Sequence, residues 1–332
     1  MTVAGGWARV ETDWVWAGLT ALVLTNERLR VVVLPELGGR VWQITELAGG
    51  TDLLWHHPRL HPQPVPFGSS YDDNFIGGWD ELFPNDQAEE LAGEPFPDHG
   101  EAWSERWNWQ VLPGPAAAVR LSLSGRISGC ELVRTVSLAP GSCTLRVDVE
   151  VTNTSAAVLP MLHKQHLAAA VRPGARVDLP GCRVEIGDFG RPRWGEPGQS
   201  FDWPGPDGVD FAGTPPSGTA ELLFADRLAA GWCALTGGDG VGIGLAFDTA
   251  VYPSCWTFAS WAGWRGLDVV VLEPCTGVGL SVAEGQASGR HRALAPGETL
   301  RSTVSAVVYR GLRAVTAIDG PADDCRVHGE AL

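Results

Sequence analysis

The chain has 332 residues, with 24 Lys and Arg against 39 Asp and Glu, a net charge of −15 and a pI near 4.9. That balance excludes a nucleic-acid binder, because phosphate contacts need clustered cations. A content of 44% hydrophobic residues, with 15 Trp, excludes wholesale disorder and supplies a large core. No apolar run reaches the length of about 18 residues that a membrane helix needs, and Met1 to Thr20 holds no cationic segment leading into an apolar one. A cytoplasmic protein without membrane contact is therefore expected.

In chain order, strands are predicted over Ala21 to Leu34, Val41 to Glu46, Val119 to Leu123 and Leu132 to Leu138. They continue over Thr144 to Thr152, Trp232 to Leu235, Gly242 to Phe247, Asp268 to Leu272 and Leu300 to Tyr309. The signal is clearest in Thr144 to Thr152, where Leu145, Val147, Val149 and Val151 alternate with Arg146, Asp148 and Glu150, the period of a half-buried strand. No stretch carries a capped 3.6-residue stripe over three turns. Many short β runs parted by Gly, Pro and Asp describe a sandwich or barrel rather than βαβ units, in one large domain over residues 1–332. Two long loops interrupt the pattern, His56 to Gly100 and Gly187 to Thr214; loops of that length inside a β protein carry binding surfaces. The seven cysteines, Cys130, Cys143, Cys182, Cys233, Cys255, Cys275 and Cys325, show no CxxC spacing, so reduced thiols are expected.

Three constellations could carry chemistry. In Pro97-Asp98-His99-Gly100 the glycine lets the backbone beside a histidine turn tightly and admit a ligand. In His163-Lys164-Gln165-His166 the single lysine of the chain shares a strand face with His166. An ammonium there disfavours an imidazolium at His166, whereas carboxylates in the same cleft act the other way. In Val269 to Gly277 an apolar strand runs into Glu273, and Pro274 is expected to hold that carboxylate out of any continuing ladder. A buried strand-end carboxylate has either a partner or a catalytic role. His163-x-x-His166 is the one short metal-ligand spacing, solvated turns account for Asp72-Asp73 and Asp80-Glu81, and no metal or other cofactor is expected. There is no dinucleotide fingerprint, Walker loop or nucleophile elbow.

Taken together, these residues resemble the galactose mutarotase-like superfamily, the aldose 1-epimerases and their relatives. The resemblance runs through Pro35-Glu36-Leu37-Gly38-Gly39-Arg40-Val41, Gly77-Gly78-Trp79-Asp80-Glu81-Leu82-Phe83-Pro84-Asn85, Asp98-His99-Gly100, Val151-Thr152-Asn153-Thr154-Ser155, His166-Leu167-Ala168 and Leu272-Glu273-Pro274. It implies an all-β fold, a large antiparallel β-sandwich (supersandwich) whose concave face holds a small-molecule sugar. It further implies that Glu273 is the general base, His166 the general acid, and His99 a hydrogen-bond partner of the sugar near its ring oxygen. The segment after His99, Glu101-Ala102-Trp103, lacks the arginine typical of epimerases. The substrate-binding aspartate falls on Asp202 or Asp210. Arg40, Asp80, Glu81, Lys164 and Arg265 are candidate partners for sugar hydroxyls, and Trp79, Trp103, Trp256 and Trp264 for its C–H faces. The implied activity is interconversion of the α and β anomers of a hexose; the alternatives are a non-catalytic carbohydrate binder and a sugar-phosphate mutarotase with Arg40 and Arg265 as its cations.

Overall fold

Strand Thr144–Asn153 buries Leu145, Val147, Val149 and Val151 and leaves Arg146 and Asp148 half-buried, as the alternation predicts. The same logic runs through Ala117–Ser124 and Cys130–Leu138; Cys130–Leu138 pairs with Thr144–Asn153 on one side and with Ala117–Ser124 on the other in an antiparallel sheet. The computed structural model that shows this describes residues 6–332. Residues 1–5, the start of the Met1 to Thr20 stretch read above, lie outside the described residues.

Two antiparallel sheets face each other. The smaller has eight strands in the order Arg176–Asp178, Trp232–Thr236, Val241–Phe247, Thr299–Arg310, Thr144–Asn153, Cys130–Leu138, Ala117–Ser124, Asn108–Val111. The larger has twelve, running from Ala8–Trp16 through Leu19–Asn26, Leu29–Leu34, Arg40–Glu46, Trp79–Leu82, Lys164–Ala169, Leu267–Cys275, Ser254–Trp264, Thr219–Asp226 and Arg183–Ile186 to Ser200–Asp202, with Thr51–Asp52 paired to one side. The apolar faces of both sheets merge into one core containing Val41, Trp79, Val147, Leu245 and Leu272.

The predicted run Ala21 to Leu34 is a hairpin rather than one strand. Asn26 turns the chain there, its side-chain oxygen accepting from the N–H groups of Arg28 and Leu29 at 2.8 Å each. Thr219–Asp226 and Ser254–Trp264 carry no alternation to read, because both faces of these central strands are covered. On the outer side, Phe258 and Trp264 of Ser254–Trp264 pack against a second apolar cluster that includes Trp55, Tyr71, Phe75, Trp103, Val269 and Val271. One helix, Val282–Ala287 with Ser281 as its cap, is too short to show a stripe. All seven cysteines are unpaired.

Register across the large sheet positions the site. His166 pairs with Asp80 on one side, and Trp256 pairs with Glu273 two strands away. Between the Lys164 and Glu273 strands the pairs Lys164↔Cys275 and Leu167↔Leu272 keep one register, which sets His166 opposite Glu273. Opposed residues of an antiparallel pair project to the same face, so Asp80, His166, Glu273 and Trp256 form one row across four strands. Pro274 does not end its strand, which runs on to Cys275. Its effect is local: the ladder to the Lys164 strand is interrupted beside it, where proline has no N–H to donate.

Candidate functional site

The row opens into a pocket of about 220 Å³. The sheet supplies Lys164, His166, Trp256, Phe258, Val271 and Glu273. The first long loop adds Tyr71, Asp72, Phe75, Asp86, Asp98 and His99, and the second adds Asp188 and Phe189. Both predicted loops contribute to the same cavity, but the first is not loop throughout: Trp79–Leu82 within it is a central strand of the large sheet, and Glu89–Leu91 pairs with Glu94–Phe96. His99 and Gly100 both have positive φ, 59° and 73°. A side chain at Gly100 would meet the Phe83 carbonyl, which is why glycine stands there.

His166 is held from behind. Its Nδ1 lies 3.1 Å from Asp80 Oδ1 and 3.0 Å from the Tyr71 hydroxyl, which also reaches Asp80 Oδ2 at 3.0 Å. Arg40 Nη2 donates to Asp80 Oδ2 at 2.6 Å and Nη1 to the Gly77 carbonyl. Burial opposes the charge on Asp80, but Arg40, His166 and Tyr71 outweigh it and hold the carboxyl down at about 2. Burial and the Asp80 charge push the Tyr71 phenol well above its ordinary value, so it remains a donor. An ionised Asp80 fixes the proton of His166 on Nδ1 and leaves Nε2 as the nitrogen available to a ligand.

Lys164 sits on the pocket floor, 2% exposed. Its Nζ lies 3.1 Å from Glu273 Oε2, donates to Asp86 Oδ1, and stands 4.1 Å from the centre of the Trp256 ring. His99 Nδ1 meets Asp98 Oδ1 at 2.8 Å, its Nε2 lies 3.7 Å from Asp86 Oδ1, and its ring stacks on Tyr71 at 4.1 Å. Burial works against the charge on His99, yet Asp86 and Asp98 prevail and its pKa is raised. Burial likewise opposes the charge on Asp86, but Lys164 and His99 pull its pKa down.

Other candidates lie elsewhere. Arg40 and Asp80 are sealed beneath His166, and Trp103 is buried edge-on to Tyr71 at 5.0 Å. Glu81, next to Asp80 on a strand, projects to the opposite face as the pleat requires. There it meets His163 Nε2 at 2.5 Å and Arg134 at 3.8 Å, between the sheets. His163 and His166 thus point to opposite faces and do not converge on one metal. Trp79 is in the inter-sheet core, its Nε1 donating to Gln165 at 3.0 Å. Asp202 and Asp210 are exposed and paired with Arg183 and Arg176 outside the pocket. Arg265 is also outside its lining, paired with Asp73 at 2.8 Å and packed on Trp264, which does line it.

No protein-family model and no curated protein sequence matches the chain. Solved structures do match. A candidate aldose 1-epimerase from Klebsiella pneumoniae subsp. pneumoniae superposes with a TM-score of 0.70 at 14% identity, over 92% of this chain and 88% of that one. A candidate aldose 1-epimerase from Escherichia coli K12 gives 0.66 at 20% identity, over 88% and 100%. A galactose mutarotase-like protein from Lactobacillus casei gives 0.63 at 15% identity, over 87% and 100%. The fold is that of the galactose mutarotase-like proteins.

Within this galactose mutarotase-like fold, the pocket includes residues that sequence reasoning does not single out as site residues. Asp86 has no local signature; it reaches the floor because Asn85 ties its turn to the Gln87 and Pro97 carbonyls at 2.6 and 2.8 Å. Tyr71 and Asp188 are single residues in long loops, with no periodicity to assign them a direction. The one available signal for Asp86 is indirect: a buried lysine needs a carboxylate, and the row supplies Glu273 but not the second partner.

Proposed function

We propose that the protein is an aldose 1-epimerase-type mutarotase acting on a neutral hexose. The observation that carries this reading is the row itself, with an imidazole directly opposite a carboxylate on one pocket wall and Asp80 behind the imidazole. Mutarotation needs just such a pair. The Glu273 carboxylate takes the proton from the anomeric hydroxyl, the C1–O1 bond becomes a carbonyl, and the C1–O5 bond breaks. The electron pair passes to O5, which takes a proton from His166 Nε2; Asp80, accepting from Nδ1, balances the positive charge of the doubly protonated ring. Rotation about C1–C2 and reversal of both transfers close the other anomer. Each positioned group contributes about 10²–10⁴-fold. His99 is assigned to the sugar's oxygen side and Trp264 to its C–H faces, whereas Trp256, 1% exposed with Lys164 over its ring, backs the pocket floor.

A phosphorylated substrate is disfavoured by the lining. Five carboxylates, Asp72, Asp86, Asp98, Asp188 and Glu273, face the cavity with no arginine among them, so a phosphate would meet a repulsive field. The test is saturation-transfer NMR on a panel of free hexoses and their 6-phosphates. The expected result is accelerated exchange for at least one free hexose and none for its phosphate. Tight binding of a sugar with no acceleration for any would overturn the enzyme in favour of a carbohydrate-binding protein.

A further inference from the structure

The single lysine is placed where a sugar hydroxyl could be expected to meet it, but its donors are already engaged. An ammonium has three N–H groups. Around Lys164 Nζ stand three acceptors: Asp86 Oδ1, Glu273 Oε2 at 3.1 Å, and the face of Trp256 at 4.1 Å. Asp86 and Glu273 are themselves 6% and 2% exposed, so two carboxylates lie out of water with one ammonium between them. Like charges that close, and that poorly solvated, cannot both persist without a countercharge.

We propose that Lys164 is a positioning residue acting through Glu273 and Asp86, a fixed countercharge that lets both buried carboxylates coexist as anions on the pocket floor. This rests on the reading of Glu273 as the base, and it replaces the expectation that Lys164 binds the ligand or acts chiefly on His166. The surrounding groups support it. From the loops, His99, Asp98, Asp72, Tyr71 and Asp188 face the cavity; from the strands, His166 lines it and Cys275 lies near Lys164. Apart from the two histidines, none of these can carry positive charge. Burial disfavours the Lys164 ammonium, yet Asp86 and Glu273 more than reverse this and raise its pKa. The same contact lowers the pKa of Asp86. A base held this way stays aimed at one point in the pocket.

The test compares Lys164→Met with the double variant Lys164→Met/Asp86→Asn. In the single variant the two carboxylates lose the ammonium between them, and His99, 3.7 Å from Asp86, is the nearest remaining group that can carry positive charge. A protonated-carboxyl C=O band absent from wild type is expected in its infrared difference spectrum near neutral pH. In the double variant one carboxylate remains and the band is expected to vanish. In anomer exchange, the ratio of rates at pH 5 and pH 8 should drop by about tenfold in the single variant and recover in part in the double. If the single variant fails to fold, the double should fold better than it does. An unchanged spectrum and pH profile in Lys164→Met, or a double variant no better folded than an unfolded single, overturns the proposal. The infrared readout needs no turnover, so a wild type inactive on every sugar would sink the mutarotase reading and leave this one standing.

Discussion

Asp80 shows how one buried carboxylate links stability to the site. It is bound by Arg40, Tyr71 and His166 at once, with no exposure. Asp80→Asn would leave the Arg40 guanidinium buried and uncompensated, and breaking a buried pair from one side costs about 3–5 kcal/mol. Urea denaturation should register that loss together with reduced exchange; a loss below about 1 kcal/mol would show that the pair is not the anchor described. Gly100→Ala forces a side chain against the Phe83 carbonyl at a φ of 73°. It is expected to destabilise by about 1–3 kcal/mol and to lower sugar affinity by displacing His99. Unchanged thermal unfolding would contradict this. At this scale the sequence reveals residues that carry an intrinsic conformational demand or an uncommon type, as Gly100 and Lys164 do. It does not reveal direction. Asp80 and Glu81 read alike as adjacent acids, and only the pleat sends one under His166 and the other into the inter-sheet core with His163.

Elements were legible in proportion to how unequal their two faces are. Cys130–Leu138 and Thr144–Asn153 have one buried and one half-exposed face and announce themselves. Ser254–Trp264, which brings Trp256 to the pocket, is covered on both sides by the inter-sheet core and the first long loop, so its apolar run has no period. The two long loop stretches stood out by their length and aromatic content, and both supply residues to the pocket wall. Which of their side chains turn inward depends on contacts distant in the chain, such as Tyr71 N to Asp98 Oδ2 at 2.9 Å. Pro274 illustrates a rule applied at the wrong range: proline weakens one ladder while the other edge of the same strand continues to Cys275.

For the whole molecule, a net charge of −15 coexists with cationic partners placed at particular acids: Asp86 beside Lys164, Asp98 beside His99, and Asp80, beneath the pocket, beside Arg40. Burial opposes the charge on Asp80, Asp86 and Asp98, yet in each case a cationic partner wins and the folded pKa lies below the ordinary one. Such groups contribute stability above the unfolded carboxylate pKa of about 3.9, and lose it as pH falls through their folded values. His99 has the opposite sign: its raised pKa contributes below the unfolded histidine value and that contribution is lost as pH rises through the folded one. The denaturation midpoint is thus expected to fall steeply from about pH 4 towards pH 2; a midpoint unchanged over that interval would mean that these pairs contribute nothing net. The central claim is that Glu273 does chemistry rather than merely holding the ligand, and the most direct measurement is saturation-transfer exchange for Glu273→Gln set beside its sugar affinity. Exchange is expected to fall by about 10²–10⁴-fold with affinity largely kept; exchange at the wild-type rate would contradict a chemical role for Glu273.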